Sequence, residues 1–336
     1  MTMGRLSYMI RRAARMDYRA MLRTAEMLHK KTGKSRAWLL QDMAKCAVKY
    51  NAGYVDYKIA EMYRLNDAQR RTQITRGVSN SIVARMNDKA YWHFFDNKAE
   101  FNQLFAAQVK RGWLDLTKAT REEFEAFVKD RSELICKPID GSSGQGIFKV
   151  TAAEHPYAGR LYDELKSKNI GIVEDVVHQH EEIAALCPTS VNTIRVATLL
   201  GDKKEGIVYA YIRIGNGRVM DNVDCGGMAA PVDLDTGVIS SVGANKAGEA
   251  YEIHPMTGKR IPGTQIPYWE EAKAMCLAAM RVIPQVRFVA WDVAITPDGP
   301  VFIEGNSFPS HAIPQFAAHF PDGIGILPRF EEFIDL

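Results

Sequence analysis

The hydrophobic period of the chain changes near residue 134, and no other feature limits the fold as much. Before that point apolar residues recur every three to four positions. Leu6, Ile10, Ala13, Met21, Ala25 and Leu28 form one such stripe through LSYMIRRAARMDYRAMLRTAEML, the repeat of a helix that buries one face. KTGKS interrupts it, Ser35 stands where a cap is needed for a second helix, RAWLLQDMAKCAVKY, and Asn51 with Gly53 closes that helix. IAEMYRL and AEFNQLFAAQV extend the helical reading, and Thr120 with Glu123 makes a capping box ahead of FEAFVKD. Beyond residue 134 the runs are short and β-branched or aromatic: ELICKP, GIFKVT, NIGIVEDVV, VNTIRVATLL, GIVYAYIRI, MAAPVDL, RFVAWDVAI and PVFIEG. Turns such as Asp235-Thr236-Gly237 and Pro297-Asp298-Gly299 separate them. One further helix is expected at YWEEAKAMCLAAMRVI. The order predicts an α+β chain: a helical N-terminal region, a small α/β piece, then a larger, mostly antiparallel part.

At 336 residues the chain can bury a sizeable core, and 46% hydrophobic with 25% charged residues excludes a disordered or low-complexity protein. No apolar run reaches the roughly 20 residues of a membrane span, and no secretory leader is read at the N-terminus. Five scattered cysteines make neither a disulfide framework nor a CxxC pair, so a reducing cytoplasm is the expected compartment. The net charge of +3 is uneven: residues 1–50 hold twelve Lys/Arg against three Asp/Glu, which is +9, and leave −6 for the rest. Such an arm can meet an anionic partner, a polyanionic glycan in the first instance, or can simply be a solvated helix face.

Four groups of residues carry candidate chemistry. The stretch ICKPIDGSSGQGI joins Lys137, at the end of an apolar strand, to a loop with glycines at 141, 144 and 146. Successive backbone N–H groups in a glycine loop can bind phosphate, and a neighbouring lysine adds a point charge. The loop matches neither G-x-x-x-x-G-K-[ST] nor G-x-G-x-x-G, so on its own it reads more readily as an ordinary hairpin turn. In FVAWDVAITPDGPVFIEGN, Glu304 and Asn306 are two apart and share a strand face, and a hairpin brings Asp292 beside them. Three oxygen donors between apolar neighbours suit Mg²⁺ with a nucleotide's phosphates. An edge hairpin with its acids in water is the alternative. Arg195 in SVNTIRVATLL and Arg213 in VYAYIRIGNG sit within apolar strands, where a guanidinium needs an anion, either a phosphate or a structural carboxylate. IVEDVVHQHEE offers Glu174 and Glu181, with His178 and His180 read as surface or packing residues.

Taken in this order, the motifs over residues 85–310 resemble the ATP-grasp superfamily. DNKAEF is similar to its early nucleotide-binding lysine, Lys98; ICKP supplies the second, Lys137; and DGSSGQGI resembles the mobile loop that closes over phosphates, here Gly141, Ser142, Ser143, Gly144 and Gly146. IVEDVVHQHE resembles the adenine hinge. By that match Glu174 would accept from the amino group, the backbone at Val177 would read the ring edge and Glu181 would bind ribose. Asp292, Glu304 and Asn306 fall where the family holds two magnesium ions, and DNVDCGG resembles the N-x-x-x-G-G segment of glutamate ligases, which brings in Asn222. SVNTIRV, MDNVDCGG, HPMTG and WDVAITPDGPVFIEGN most resemble the sugar-transfer-associated branch, related to the glutamate ligases.

The resemblance implies two α/β subdomains clasping ATP, at residues 85–176 (carrying the glycine loop) and 177–336 (carrying the metal site), after a basic helical region at 1–84. It also implies an ATP- and Mg²⁺-dependent ligase that joins a carboxylate to an amine through an acyl phosphate, with Arg195 and Arg213 as catalytic cations. The branch name suggests polysaccharide synthesis, hence a glycan uronate or a peptide or amino acid as substrate; nucleic acid is not an expected partner. A phosphotransferase on the same scaffold and a non-catalytic nucleotide-binding module are the alternatives. Replacing either Asp292 or Glu304 by alanine is expected to stop turnover and leave the protein soluble.

Overall fold

The computed structural model describes residues 17–140, 146–217, 221, 223 and 226–336. The chain divides into two compact units, one comprising Met1–Ile82 with His311–Arg329, the other Val83–Ser310 with Phe330–Leu336. The boundary falls inside the helix Arg76–Met86. The glycine-loop positions Gly141, Ser142, Ser143 and Gly144, together with Asn222 and the first sixteen residues of the basic arm, lie outside the described residues.

In the first unit the sequence signals act where they stand. Ser35 accepts from the Trp38 amide at 3.2 Å to start the helix Arg36–Tyr50, and Asn51 ends it at φ 53°, in the left-handed region. Leu28, Leu39, Met43, Cys46, Tyr57 and Met62 pack the core between helices. A charged pair is buried inside it, Arg70 with Asp42 at 2.6 and 2.8 Å, whose carboxylate also accepts from the Tyr57 hydroxyl at 2.7 Å. IAEMYRL does not continue as one helix. It stops at Ile59 and resumes as a short 3₁₀ turn at Met62–Arg64, with Glu61 at φ 46° between them. Residues His311–Arg329 return to this unit and are held by Gln315, whose amide side chain bonds the Ile74 backbone N–H and C=O, each at 2.8 Å. The described part of the basic arm neutralises much of its own charge, through Lys31–Glu61, Arg36–Glu26 and Lys49–Asp67.

The second unit holds two antiparallel sheets. The smaller is built from β1 (Trp113–Asp115), β2 (Glu133–Lys137), β3 (Phe148–Thr151) and β4 (Ile172–Asp175) in the order β1-β4-β2-β3. The larger comprises β5 (Ile194–Leu200), β6 (Glu205–Ile214), β7 (Met228–Pro231), β8 (Gly243–Ala244), β9 (Ala250–Tyr251), β10 (Phe288–Thr296) and β11 (Gly299–Asn306), in the order β11-β10-β5-β6-β7-β8-β9. Alternation along its central strands separates two faces. Trp291, Val293, Ile194, Val196, Ala210 and Ile212 point into a core closed by the helix Trp269–Ala279 and by Phe95, Phe101 and Phe105. The opposite positions, Asp292, Arg195, Tyr211 and Arg213, lie side by side on the other face.

Cys46 and Cys136 are buried in separate cores, and burial pushes their thiols up to about 11 and about 12. Neither forms thiolate at neutral pH. Iodoacetamide is expected to leave both unmodified in the folded protein and to label both in denaturant, as read by peptide mass spectrometry; rapid labelling of folded protein at Cys136 would contradict its place under the small sheet.

Candidate functional site

Asp292 is the centre of the first cluster. It sits on β10 opposite Arg195 of β5 on one side and Glu304 of β11 on the other, and its side chain is fully buried. Arg195 grips it with two parallel bonds, Nε to Oδ1 and Nη2 to Oδ2, both 2.6 Å, the planar fork matching the carboxylate. Arg213 adds a third, Nη2 to Oδ2 at 2.8 Å, and is itself fixed by the Thr193 hydroxyl at 2.6 and 2.9 Å and by Asp221 at 3.3 Å. Burial by itself would push the Asp292 carboxyl up; the two arginines overcome it and hold it at about 2.

Glu304 reaches this face because β11 is irregular. Phe302 and Glu304 are two residues apart, a spacing that on a regular strand gives one face. Phe302 nevertheless stacks on Trp291 in the core, with ring centroids 4.9 Å apart, whereas Glu304 stands across from Asp292. The register shifts between Asp292 and Val293, so that Val293 pairs with Phe302 and Ile303 is the extra residue of a β-bulge. Without it Glu304 would pair with Trp291 and turn into the core. Asn306 lies on the same face as Glu304, opposite Ala290 and donating to its carbonyl at 3.4 Å. The Glu304 side chain keeps 36% exposure and stands 3.9 Å from the Arg195 guanidinium.

The second cluster is on the small sheet. Glu174 of β4 is buried and held by three side chains: Lys137 of β2 donates to Oε2 at 2.5 Å, Arg111 to the same oxygen at 3.1 Å, and Asn102 to Oε1 at 2.7 Å. Burial raises the Glu174 carboxyl, but the charges of Arg111 and Lys137 outweigh it and hold the group well below the usual carboxylate range. Lys98 opens the helix Lys98–Leu104, which Asn97 caps, and its backbone N–H donates to Ile139 at 3.1 Å, beside the end of β2. Burial lowers its ammonium; among the charges acting on it Glu304 is strongest, followed by Lys137, Asp140 and Glu174. Lys98 thus feels both clusters.

The remaining candidates lie farther out. Gly146 adopts φ 73°, and a Cβ there would stand 2.9 Å from the Pro138 ring, so the end of the glycine loop passes close to the residue after Lys137. Val177 is half-buried in the connector between β4 and the helix Glu181–Ala184, and Glu181 is exposed in that helix's first turn. Among the described residues no hydrogen bond or ion pair joins Glu181 to the Lys137–Glu174 cluster. His180 is structural, as its surroundings suggested: its ring caps the helix at the Glu182 amide and its backbone N–H donates to Ile295 at 2.7 Å. Sequence reasoning missed Arg111, Asn102, Thr193 and Asp221. Thr193 and Asp221 had a signal, in the already noted SVNTIRV and DNVDCGG; the Lys-Arg-Gly at 110–112 looks like any solvated turn.

The donor set of Asp292, Glu304 and Asn306 fits a divalent cation in its charge. Among the described residues no three His, Cys, Asp or Glu side chains cluster as a metal site; the trio here is two carboxylates and a carboxamide. Two arginines face three acids, Asp292, Glu304 and Asp221. The two outer acids are both raised, first by burial and then, for Glu304, by the Asp292 charge. Three acids against two arginines leave negative charge at the partly exposed Glu304 that a cation would neutralise.

Solved structures with partial likeness include a D-alanine–D-alanine ligase from Coxiella burnetii (11% identity, TM-score 0.42, covering 71% of this chain and 56% of that one). The D-cycloserine synthetase DcsG gives 11% identity and TM-score 0.46, over 84% and 82% of the two chains. The ATP-grasp ligase PsnB, solved with a precursor variant, Mg and ADP, gives 13% and 0.39, over 70% and 60%. The chain therefore spans little more than half the length of the Coxiella enzyme. No curated protein matches by sequence. The sugar-transfer associated ATP-grasp family, in contrast, matches residues 78–333, a span that takes in both sheets and both clusters, and the chain belongs to that family and has its ATP-grasp fold.

Proposed function

We propose that this chain is an ATP-dependent ligase that joins a carboxylate to an amine and releases ADP and phosphate. The observation that carries the reading is geometric: the Arg111 guanidinium bonds Glu174 of the basic cluster and the Phe302 and Ile303 carbonyls of the strand that carries Glu304, and the Lys98 backbone N–H is held by Ile139 beside the end of β2. Cations that suit phosphate and acids that suit a metal are thus tied together, which an isolated structural ion pair does not require. In the reaction so implied, a substrate carboxylate takes the terminal phosphoryl group of ATP to give an acyl phosphate and ADP. The amine then displaces phosphate from the acyl carbon and loses a proton. Lys98 and Lys137 would bind the phosphates, with Gly141, Ser142, Ser143, Gly144 and Gly146 supplying backbone N–H groups and Glu174, Val177, Glu181 and Asn222 the remaining nucleotide contacts. Asp292, Glu304 and Asn306 would hold Mg²⁺, two ions by the family's pattern, which when bound neutralises charge on the phosphates. Arg213 and Arg195 keep Asp292 ionised and aligned, and Arg195, which also reaches Glu304, would balance charge developing on the transferred group. The family's tie to sugar transfer supports a glycan uronate among the carboxylates, with the basic arm as its docking face.

Lys137→Met is expected to weaken ATP binding at least tenfold, about 1.4 kcal/mol, while Arg111 and Asn102 still hold Glu174. Unchanged affinity by calorimetry would remove Lys137 from the site. The function itself is tested by ADP and phosphate release with ATP and Mg²⁺ against amino acids, amines and uronates, with products weighed by mass spectrometry. A product formed by condensation supports the ligase; a product heavier by one phosphate makes the protein a kinase, and no ATP-dependent product with any substrate pair points to a binding module.

A further inference from the structure

Arg111 stands out in neither cluster by sequence, yet it bonds Glu174 of one and the strand that carries Glu304 of the other. It lies in the turn that enters β1, after Lys110 in the left-handed conformation (φ 52°) and before Gly112, whose N–H donates to the Asp175 carboxylate at 2.8 Å. Its side chain is 6% exposed. One edge of the guanidinium holds Glu174, with Nε and Nη2 each 3.1 Å from Oε2. The other edge donates to two consecutive carbonyls of β11, Nη1 to Phe302 and Nη2 to Ile303 at 3.3 Å. These are the carbonyls of the bulge that turns Glu304 out of the core and toward Asp292. A bulge takes its extra residue out of the ladder, and a buried carbonyl left without a donor is unfavourable. Only a planar group with donors on both edges spans a carboxylate and two carbonyls at once.

We propose that Arg111 is the positioning residue that couples the nucleotide cluster to the metal-binding hairpin: by capping the β11 bulge it aims Glu304, and by the same guanidinium it sets Glu174 and, through it, Lys137. The proposal rests on the ATP-dependent reading above. It accounts for a charged side chain buried in a turn, and for a bulge placed one residue before the acid that must face the site.

The test uses Arg111→Lys and Arg111→Met in the full chain, with three readouts: ADP affinity by calorimetry, Mn²⁺ affinity in the presence of ADP by electron paramagnetic resonance, and the urea midpoint. Lysine can replace the charge beside Glu174 but cannot also reach the two carbonyls. Arg111→Lys is therefore expected to keep ADP affinity within about threefold while weakening Mn²⁺ by about 10- to 100-fold, the usual effect of losing a group that orients a metal ligand. Arg111→Met is expected to weaken both. Wild-type Mn²⁺ affinity in Arg111→Lys overturns the proposal, as does a loss of Mn²⁺ and ADP affinity in equal proportion that tracks the urea midpoint, since a merely structural residue does that. A wild-type chain that binds neither ADP nor Mn²⁺ removes the functional reading and the proposal with it, an outcome distinct from the other two.

Discussion

Glu304→Gln is expected to lower ATP turnover by about a thousandfold or more, equivalent to ~4 kcal/mol of barrier, without lowering the unfolding midpoint. The two halves of that expectation have separate causes. Glutamine keeps the shape of the side chain on the β11 bulge but removes the charge that, with Asp292, would hold a cation against the phosphates. On stability, the folded state raises the Glu304 carboxyl, first by burial and then through Asp292. A carboxyl raised on folding destabilises the folded state once it ionises: the cost is absent below the unfolded pKa of about 4.3 and develops as pH rises through the folded value. The neutral amide removes that cost. Turnover under saturating ATP and Mg²⁺, measured beside a urea melt, checks both halves. Wild-type turnover would take Glu304 out of the chemistry, and a large fall in the melt would mean that its charge holds the fold.

Much of the scaffold is legible in the sequence because the signals are local. Ser35 and Asn51 bound their helix, Thr120 and Glu123 form a capping box, and alternation along FVAWDVAI and TIRV separates the core face from the polar one. That β10 and β11 form a hairpin followed from the tight Pro-Asp-Gly turn between them. What did not follow is what depends on contacts distant in sequence. The bulge at Ile303 is invisible in GPVFIEGN, where Phe302 and Glu304 have the same parity and end on opposite faces. The carboxylate partner of Arg195 and Arg213 comes from 97 and 79 residues away, so a buried arginine in the sequence could be read as waiting for either a phosphate or an acid. Arg111 was overlooked for the same reason, its partners lying 63 residues ahead in β4 and 191 in β11. Residues His311–Arg329 carry no periodicity that ties them to the helical unit; the ties are long-range hydrogen bonds, among them a pair from Gln315 across 241 residues and one from His311 to Asp56 across 255.

Asp292→Ala is expected to destabilise the second unit by about 3–5 kcal/mol, as breaking one side of a buried ion pair does. That is a large part of the roughly 5–15 kcal/mol that holds a typical domain. In sequence Asp292 and Glu304 look interchangeable, but their surroundings are not. Glu304 is partly exposed and carries the surplus charge of the cluster, whereas Asp292 is fully buried and bridges two guanidinium groups. Alanine would leave Arg195 and Arg213 side by side in a dry interior, with Asp221 the nearest remaining acid to Arg213. Activity lost in this variant therefore reports the fold as well as the chemistry, which is why Glu304→Gln is the cleaner probe of the site. The effect also has a pH signature. A carboxyl held down at about 2 stabilises the fold fully above the ordinary aspartate value, near 3.9, and loses that contribution as pH falls toward about 2. Asp292→Asn, which keeps the shape and loses the charge, should be less stable than wild type at neutral pH, and the difference should shrink on acidification through that window. Paired urea melts at neutral and acid pH test this directly. A difference that stays constant with pH would mean that packing, and not the two arginines, is what Asp292 contributes.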